Sequence, residues 1–156
     1  MNLSSLYVGL AIVVLILLPF IIGALKGKAK TKKITKEFLD AGKQKGMTFS
    51  ETQAWNDRVI GIDPKAKKLL FKHNNPANSS ESLIDLEQVL SCIHEVKFHK
   101  VMEENKVIET IWLIFKMKNG SGTKQISVYD ADLDMNVYSE LEIAEKWTAK
   151  INELIA

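Results

Sequence analysis

The sequence predicts an α+β chain: an apolar N-terminal helix, seven antiparallel strands curled into a barrel or sandwich, and one amphipathic C-terminal helix that caps it. Three observations carry this expectation. Leu3 to Leu25 is an apolar run of 23 residues with no charged side chain, followed at once by lysines. Between Thr48 and Tyr129, β-branched and aromatic runs are punctuated by turn residues. From Val137 onward, apolar residues recur at steps of three and four.

The apolar run comes first. At about 1.5 Å of rise per residue it would measure roughly 34 Å as a helix, enough for a hydrocarbon core of about 30 Å. It is apolar on every face, and Pro19 is tolerated in a span because neighbouring groups re-satisfy the backbone. A cleaved signal peptide would carry basic residues ahead of a shorter apolar core, and Met1 to Leu6 contain neither Lys nor Arg. The expectation is an uncleaved transmembrane anchor over residues 1–25.

Lys26, Lys28, Lys30, Lys32, Lys33 and Lys36 follow directly. By the positive-inside rule they place the C-terminal part in the cytoplasm, which predicts a single-pass protein of the inner (plasma) membrane with its N-terminus outside. Beyond this topological role, each lysine near the surface would be drawn to anionic lipid by about 1 kcal/mol. Residues 26–47 read as a basic juxtamembrane linker containing a short amphipathic helix, with Ile34, Phe38 and Leu39 on one face. That face has two choices, the membrane interface or the domain that follows, and three large apolar residues favour the domain.

Residues 48–156 form the domain. Without the six lysines, 15 basic residues stand against 19 acidic ones, so the chain from Glu37 is acidic by four charges, the wrong sign for nucleic-acid binding. Thr48–Trp55, Arg58–Asp63 and Lys68–Lys72 are expected as a meander turning at Asn56-Asp57 and at Asp63-Pro64-Lys65-Ala66. His73 to Ser82 is polar and reads as a loop. Leu83–Leu86 is a short strand, and Ser91–Val101 and Lys106–Lys118 make the longest hairpin, around Glu103-Glu104-Asn105. Thr123–Tyr129 is the seventh strand, after a turn at Asn119-Gly-Ser-Gly122. In the last helix Leu141, Ala144, Trp147, Ile151 and Leu154 share one face, which should pack into an opening of the sheet.

Seven strands in hairpin order followed by a helix with an inward Trp resemble a pleckstrin-homology-like domain. The segments WNDRVIGIDPKAKKLLF, SLIDLEQVLSC and ELEIAEKWTAKINELI are similar to membrane-anchored bacterial proteins of that kind. The resemblance covers residues 48–156 and implies a PH-like barrel, a binding role and a bacterial source. In lipid-binding relatives the first hairpin loop carries several basic residues that grip inositol phosphates. Here it is Trp55-Asn56-Asp57-Arg58, with one base against one acid.

Candidate chemistry is sparse. Cys92, the single cysteine, and His94 fall on one face of a strand, and His99 on the other; two ligands are too few for zinc. His73 has no evident partner in its loop and reads as solvated. Asp130, Asp132 and Asp134 have calcium-loop spacing, but Met135 and Leu141 stand where that loop needs Gly and Glu. No phosphate loop, nucleophile elbow or dinucleotide fingerprint is present.

The sequence therefore predicts no catalytic, cofactor-binding or metal-binding residues and no enzyme. The expected function is a membrane-anchored protein presenting a cytoplasmic interaction or scaffold domain to an unidentified protein partner. One alternative is a peripheral sensor of anionic lipid assisted by the lysines. Another, less favoured, is a metal protein or enzyme using Cys92, His94 and carboxylates.

Overall fold

The computed structural model describes residues 3–76, 78–100, 106–120, 122–134, 137 and 139–156, with the backbone alone at 3–12, 20–26, 28, 78 and 119. Helix α1 is Leu3–Gln44. Strands β1 (Glu51–Trp55), β2 (Arg58–Asp63), β3 (Lys68–Asn75) and β4 (Asn78–Asp85) follow, then β5 (Val89–Lys100), β6 (Lys106–Met117), β7 (Thr123–Asp130) and helix α2 (Glu140–Ile155). The hairpin tip expected at Glu103 and Glu104 lies outside the described residues, as does Met135.

The N-terminal helix corrects the first expectation. Among the described residues, no helix is long and apolar enough to cross a membrane. The described apolar side chains of this run are those of Val13 to Pro19, all exposed, which span about 10 Å of helix rise against a core of about 30 Å. The helix also does not stop at Leu25 but runs on through the lysines to Gln44. The single span, the inner-membrane location and the N-outside orientation are therefore not supported.

The C-terminal part of α1 packs on the domain. Ile34 and Phe38 are buried with Met47, Val59 and Leu70, while Leu39 stays exposed. Phe38 stacks on Phe49 with ring centroids 5.0 Å apart. A side chain at Gly61 would put its Cβ 2.8 Å from Phe38 and 2.9 Å from Phe49, so the strand surface must be bare there for the two rings to lie against it. Strand β2 is consequently buried along its whole length, with α1 against Val59 and the main core around Ile60 and Ile62.

The strands form two antiparallel sheets, β1-β2-β3-β4 and β5-β6-β7, and among the described residues no ladder joins one sheet to the other. Of the expected barrel or sandwich, this corrects the barrel: the seven strands do not close. The chain changes sheet at a 3-10 turn, Leu86–Gln88, where the Asp85 carboxylate accepts from Glu87 N at 3.0 Å, so β4 and β5 do not pair. On the far side, Val128 is an extra residue in β7, because Tyr129 faces Ile111 while Ser127 faces Trp112. Such a bulge bends the strand and re-aims its groups.

The stretch His73 to Ser82, expected as a loop, is a hairpin arm. Strands β3 and β4 pair from Lys68↔Asp85 to Asn75↔Asn78 and turn at Pro76. Composition misleads here because a strand at a sheet edge does not need apolar residues on both faces. His73 continues the inward alternation of Leu69 and Phe71 and is buried.

The main core lies between the sheets and α2. Ala144, Trp147 and Ile151 are fully buried in it, Leu141 and Leu154 are partly buried at its margin, and Ile143 joins them.

Candidate functional site

Two sheets that do not close leave gaps between their edge strands, and α2 fills one of them. Its Trp147 indole donates to Gln53 Oε1 on β1 at 2.8 Å, and Lys146 and Lys150 both reach Glu51 on β1, at 2.6 and 2.5 Å. On the other side, Asn152 pairs with the β5 backbone: Cys92 N donates to Asn152 Oδ1 at 2.9 Å, and Asn152 Nδ2 donates to Cys92 O at 2.7 Å. The amide of one side chain thereby takes the place of a neighbouring strand. Cys92 is buried beneath this helix, and desolvation pushes its thiol up to about 12, so it stays a neutral thiol.

The other gap lies between β4 and β7 and has no covering element among the described residues. Two adjoining hollows of about 240 and 330 Å³ occupy it. Their lining advances along β4 from Ser80 to Ile84 while it runs back along β7 from Ser127 to Lys124, so the two edges have opposite senses along one groove. Each strand is hydrogen-bonded to a neighbour on one side only, β4 to β3 and β7 to β6.

One end of the groove rests on a buried polar cluster that begins with Arg58. The turn before it is tight, with Asn56 at φ 47°, and delivers Arg58 onto the inward face of β2, in register with His73. Arg58 is fully buried. Its Nε donates to Ser127 O at 3.0 Å and its Nη1 to Asp134 Oδ1 at 2.8 Å, while Nη2 is buried with no hydrogen-bond partner. The bulge at Val128 explains the adjacent acceptors: Ser127 O faces Arg58, and Val128 O accepts from the Trp55 indole at 2.9 Å. Asp134 Oδ2 accepts from Asp130 N at 3.0 Å, and Asn56 Nδ2 donates to Glu140 Oε1 at 2.9 Å, which ties the turn to the start of α2.

This geometry changes the reading of several residues. Arg58 is an interior cation matched by Asp134, 76 residues away in sequence, and not part of a phosphate-gripping surface loop. Asp130, Asp132 and Asp134 form a turn in which Asp130 Oδ1 accepts from Asp132 N, and Asp134 is committed to Arg58. His73 is not solvated: it lines the groove, and burial, reinforced by the charge of Arg58, holds its imidazole below the ordinary histidine range. The alternation Arg58-Ile60-Ile62 and Leu69-Phe71-His73 was the available signal, since it aims a cation and an imidazole inward with the core residues.

The remaining candidates stay apart. His94 and His99 are exposed while Cys92 is buried. Among the described residues no group of three or more His, Cys, Asp and Glu side chains is placed to hold a metal ion. Lys30, Lys32, Lys33 and Lys36 are exposed on α1; Lys30 pairs with Asp57 at 2.6 Å and Lys33 lies 4.0 Å from Glu37. The side chains of Lys26 and Lys28 lie outside the described set.

Fold and site together define a small α+β, β-rich domain of two antiparallel sheets with one gap covered by a helix and the other without a covering element among the described residues. No family model matches the chain, and neither the curated proteins nor the solved structures yield a similar one.

Proposed function

We propose that this chain is a protein-interaction module that takes an extended segment of a partner as an added strand in the groove between β4 and β7. The observation that carries the reading is the pair of edges, each with a neighbouring strand on one side only among the described residues and lining a single groove in opposite senses. Edge strands present rows of backbone donors and acceptors, and a peptide laid along them is held by main-chain hydrogen bonds. The edge of β5 is the poorer candidate because Asn152 occupies it at Cys92. At about 3.3 Å per residue, the stretch from Ser80 to Ile84 suits a segment of four or five residues.

The role is binding without catalysis. The likeness to pleckstrin-homology-like domains rests on seven strands in hairpin order followed by one helix, and a binding module agrees with it. Peptide is favoured over lipid because Lys30 and Lys33, two of the five lysines on α1 whose side chains are described, lie beside carboxylates.

The test is selection of a random heptapeptide library on the full chain, followed by amide hydrogen exchange with the synthesised binders. Added protection at Ser80–Ile84 and Lys124–Ile126 is the expected result, abolished by Gln125→Arg and unaffected by Leu90→Lys on the exposed part of β5. Protection confined to β5 or α2 would overturn the reading.

A further inference from the structure

We infer that the segment bound between β4 and β7 carries a basic side chain at the end beside His73, seated between the Trp112 indole and the Asp130 carboxylate, with any acidic residue confined to the Lys124 end. This inference rests on the strand-addition reading and specifies the chemistry of the same site.

The argument starts from the charges on the lining at the His73 end. Asp130 stands there, and among the described residues it has no ion-pair partner; its Oδ1 accepts only from Asp132 N, at 3.0 Å. The nearest fixed cation, Arg58, is fully buried, does not line the groove and is matched by Asp134 at 2.8 Å. His73 supplies no positive charge at neutral pH, because burial and then the Arg58 charge hold it below the ordinary histidine range. One carboxylate on this wall therefore keeps its charge unanswered, which attracts a cation and repels an acid.

The surroundings suit a cation in two further ways. Asp130 pairs with Thr110 on β6, and Trp112 lies two residues along that strand, so the indole and the carboxylate share one face of the sheet and line the same hollow. An indole face attracts Lys and Arg side chains. The hydroxyls of Ser80, Ser82 and Ser127 line this hollow as well, and they can accept from a cation that leaves water.

The opposite end has the opposite sign. Lys124 is exposed on the lining and has no ion-pair partner among the described residues, while Glu81 on β4 is taken by Lys45 at 3.0 Å. From Ser80 to Ile84 the groove runs about 13 Å at about 3.3 Å per residue, more than the screening length of about 8 Å at physiological salt. Each end consequently selects charge by itself.

The library selection decides the matter. Binders that protect β4 and β7 are expected to carry Lys or Arg at the position facing Asp130, and resynthesis with Gln there should weaken binding at least about tenfold, or about 1.4 kcal/mol. Glu at that position should weaken it further, whereas Glu at the Lys124 end should not. In the Asp130→Asn protein, whose amide oxygen can still accept from Asp132 N, the difference between the basic and the Gln peptide should largely disappear, together with its salt dependence. A merely structural role of Asp130 would weaken both peptides alike. Binders that protect both strands but lack a basic residue at that position, or lose nothing when it becomes Gln, would overturn this inference and leave strand addition standing. Binders that protect neither strand, or an empty selection, would sink both.

Discussion

Asn152 and Cys92 are joined by two hydrogen bonds, of 2.9 and 2.7 Å, in which a helix side chain satisfies both backbone groups of a residue on a sheet edge. Removing the amide leaves a donor and an acceptor without partners in a part-buried site. Asn152→Ala should cost about 1–3 kcal/mol, read from the urea midpoint at unchanged slope. The Cys92 thiol, pushed to about 12 by burial, should alkylate slowly at pH 8 in the native protein and faster in this variant.

Arg58 and Asp134 form the interior counterpart of that contact. With Arg58 fully buried, loss of Asp134 strands a cation away from water, so Asp134→Leu should destabilise by about 3–5 kcal/mol. The double replacement Arg58→Met with Asp134→Leu should recover much of this, because two apolar side chains need no partner. A double-mutant cycle measures the difference, and additive losses would show that the two residues act separately.

The docking of α1 depends on an absence of side chain. Gly61→Ala places a methyl 2.8–2.9 Å from the Phe38 and Phe49 rings and should cost about 1–3 kcal/mol by overpacking, with partial rescue by Phe49→Leu. Gly27→Ala, on the same helix with nothing within 4 Å, should instead stabilise by about 0.5–1 kcal/mol. Thermal denaturation of the two variants gives opposite signs if α1 packs as described.

Acid should act in two steps. Burial, then the Arg58 charge, lowers the His73 value below 6.5, so the unfolded chain takes up this proton first; stability is whole above pH 6.5 and declines as pH falls below it. Asp63 is lowered from 3.8 by hydrogen bonds from Ala66 N and Thr48 N, opposed by burial, and Glu51 from 4.5 by Lys146 and then Lys150. Their contribution is present above those values and is lost as pH falls through the lower folded ones. Urea midpoints from pH 7 to 3 should show both declines, with His73→Gln removing the first and Asp63→Asn weakening the second.

The candidate site was only partly legible in the chain. The alternation that aims Arg58 and His73 inward was there to be read but was not used, and the polar text around His73 read as a loop, because composition reports average solvation and not pairing. Which edges stay open could not be read at all. That depends on Asn152 reaching Cys92 across 60 residues and on the bulge at Val128, neither of which leaves a local mark.

By itself the sequence determined the number and order of the seven strands and the apolar stripe of the last helix, since periodicity is a property of neighbouring residues. It also drew from the apolar N-terminal run an anchor that the described structure does not support. Tertiary structure decided that α1 lies on the outer face of β2, that Arg58 is matched by Asp134, and that the sheets remain two, with one gap filled by α2 and the other uncovered among the described residues. Those outcomes rest on contacts between residues far apart in the chain, where packing and partner geometry, and not local preference, set the free energy.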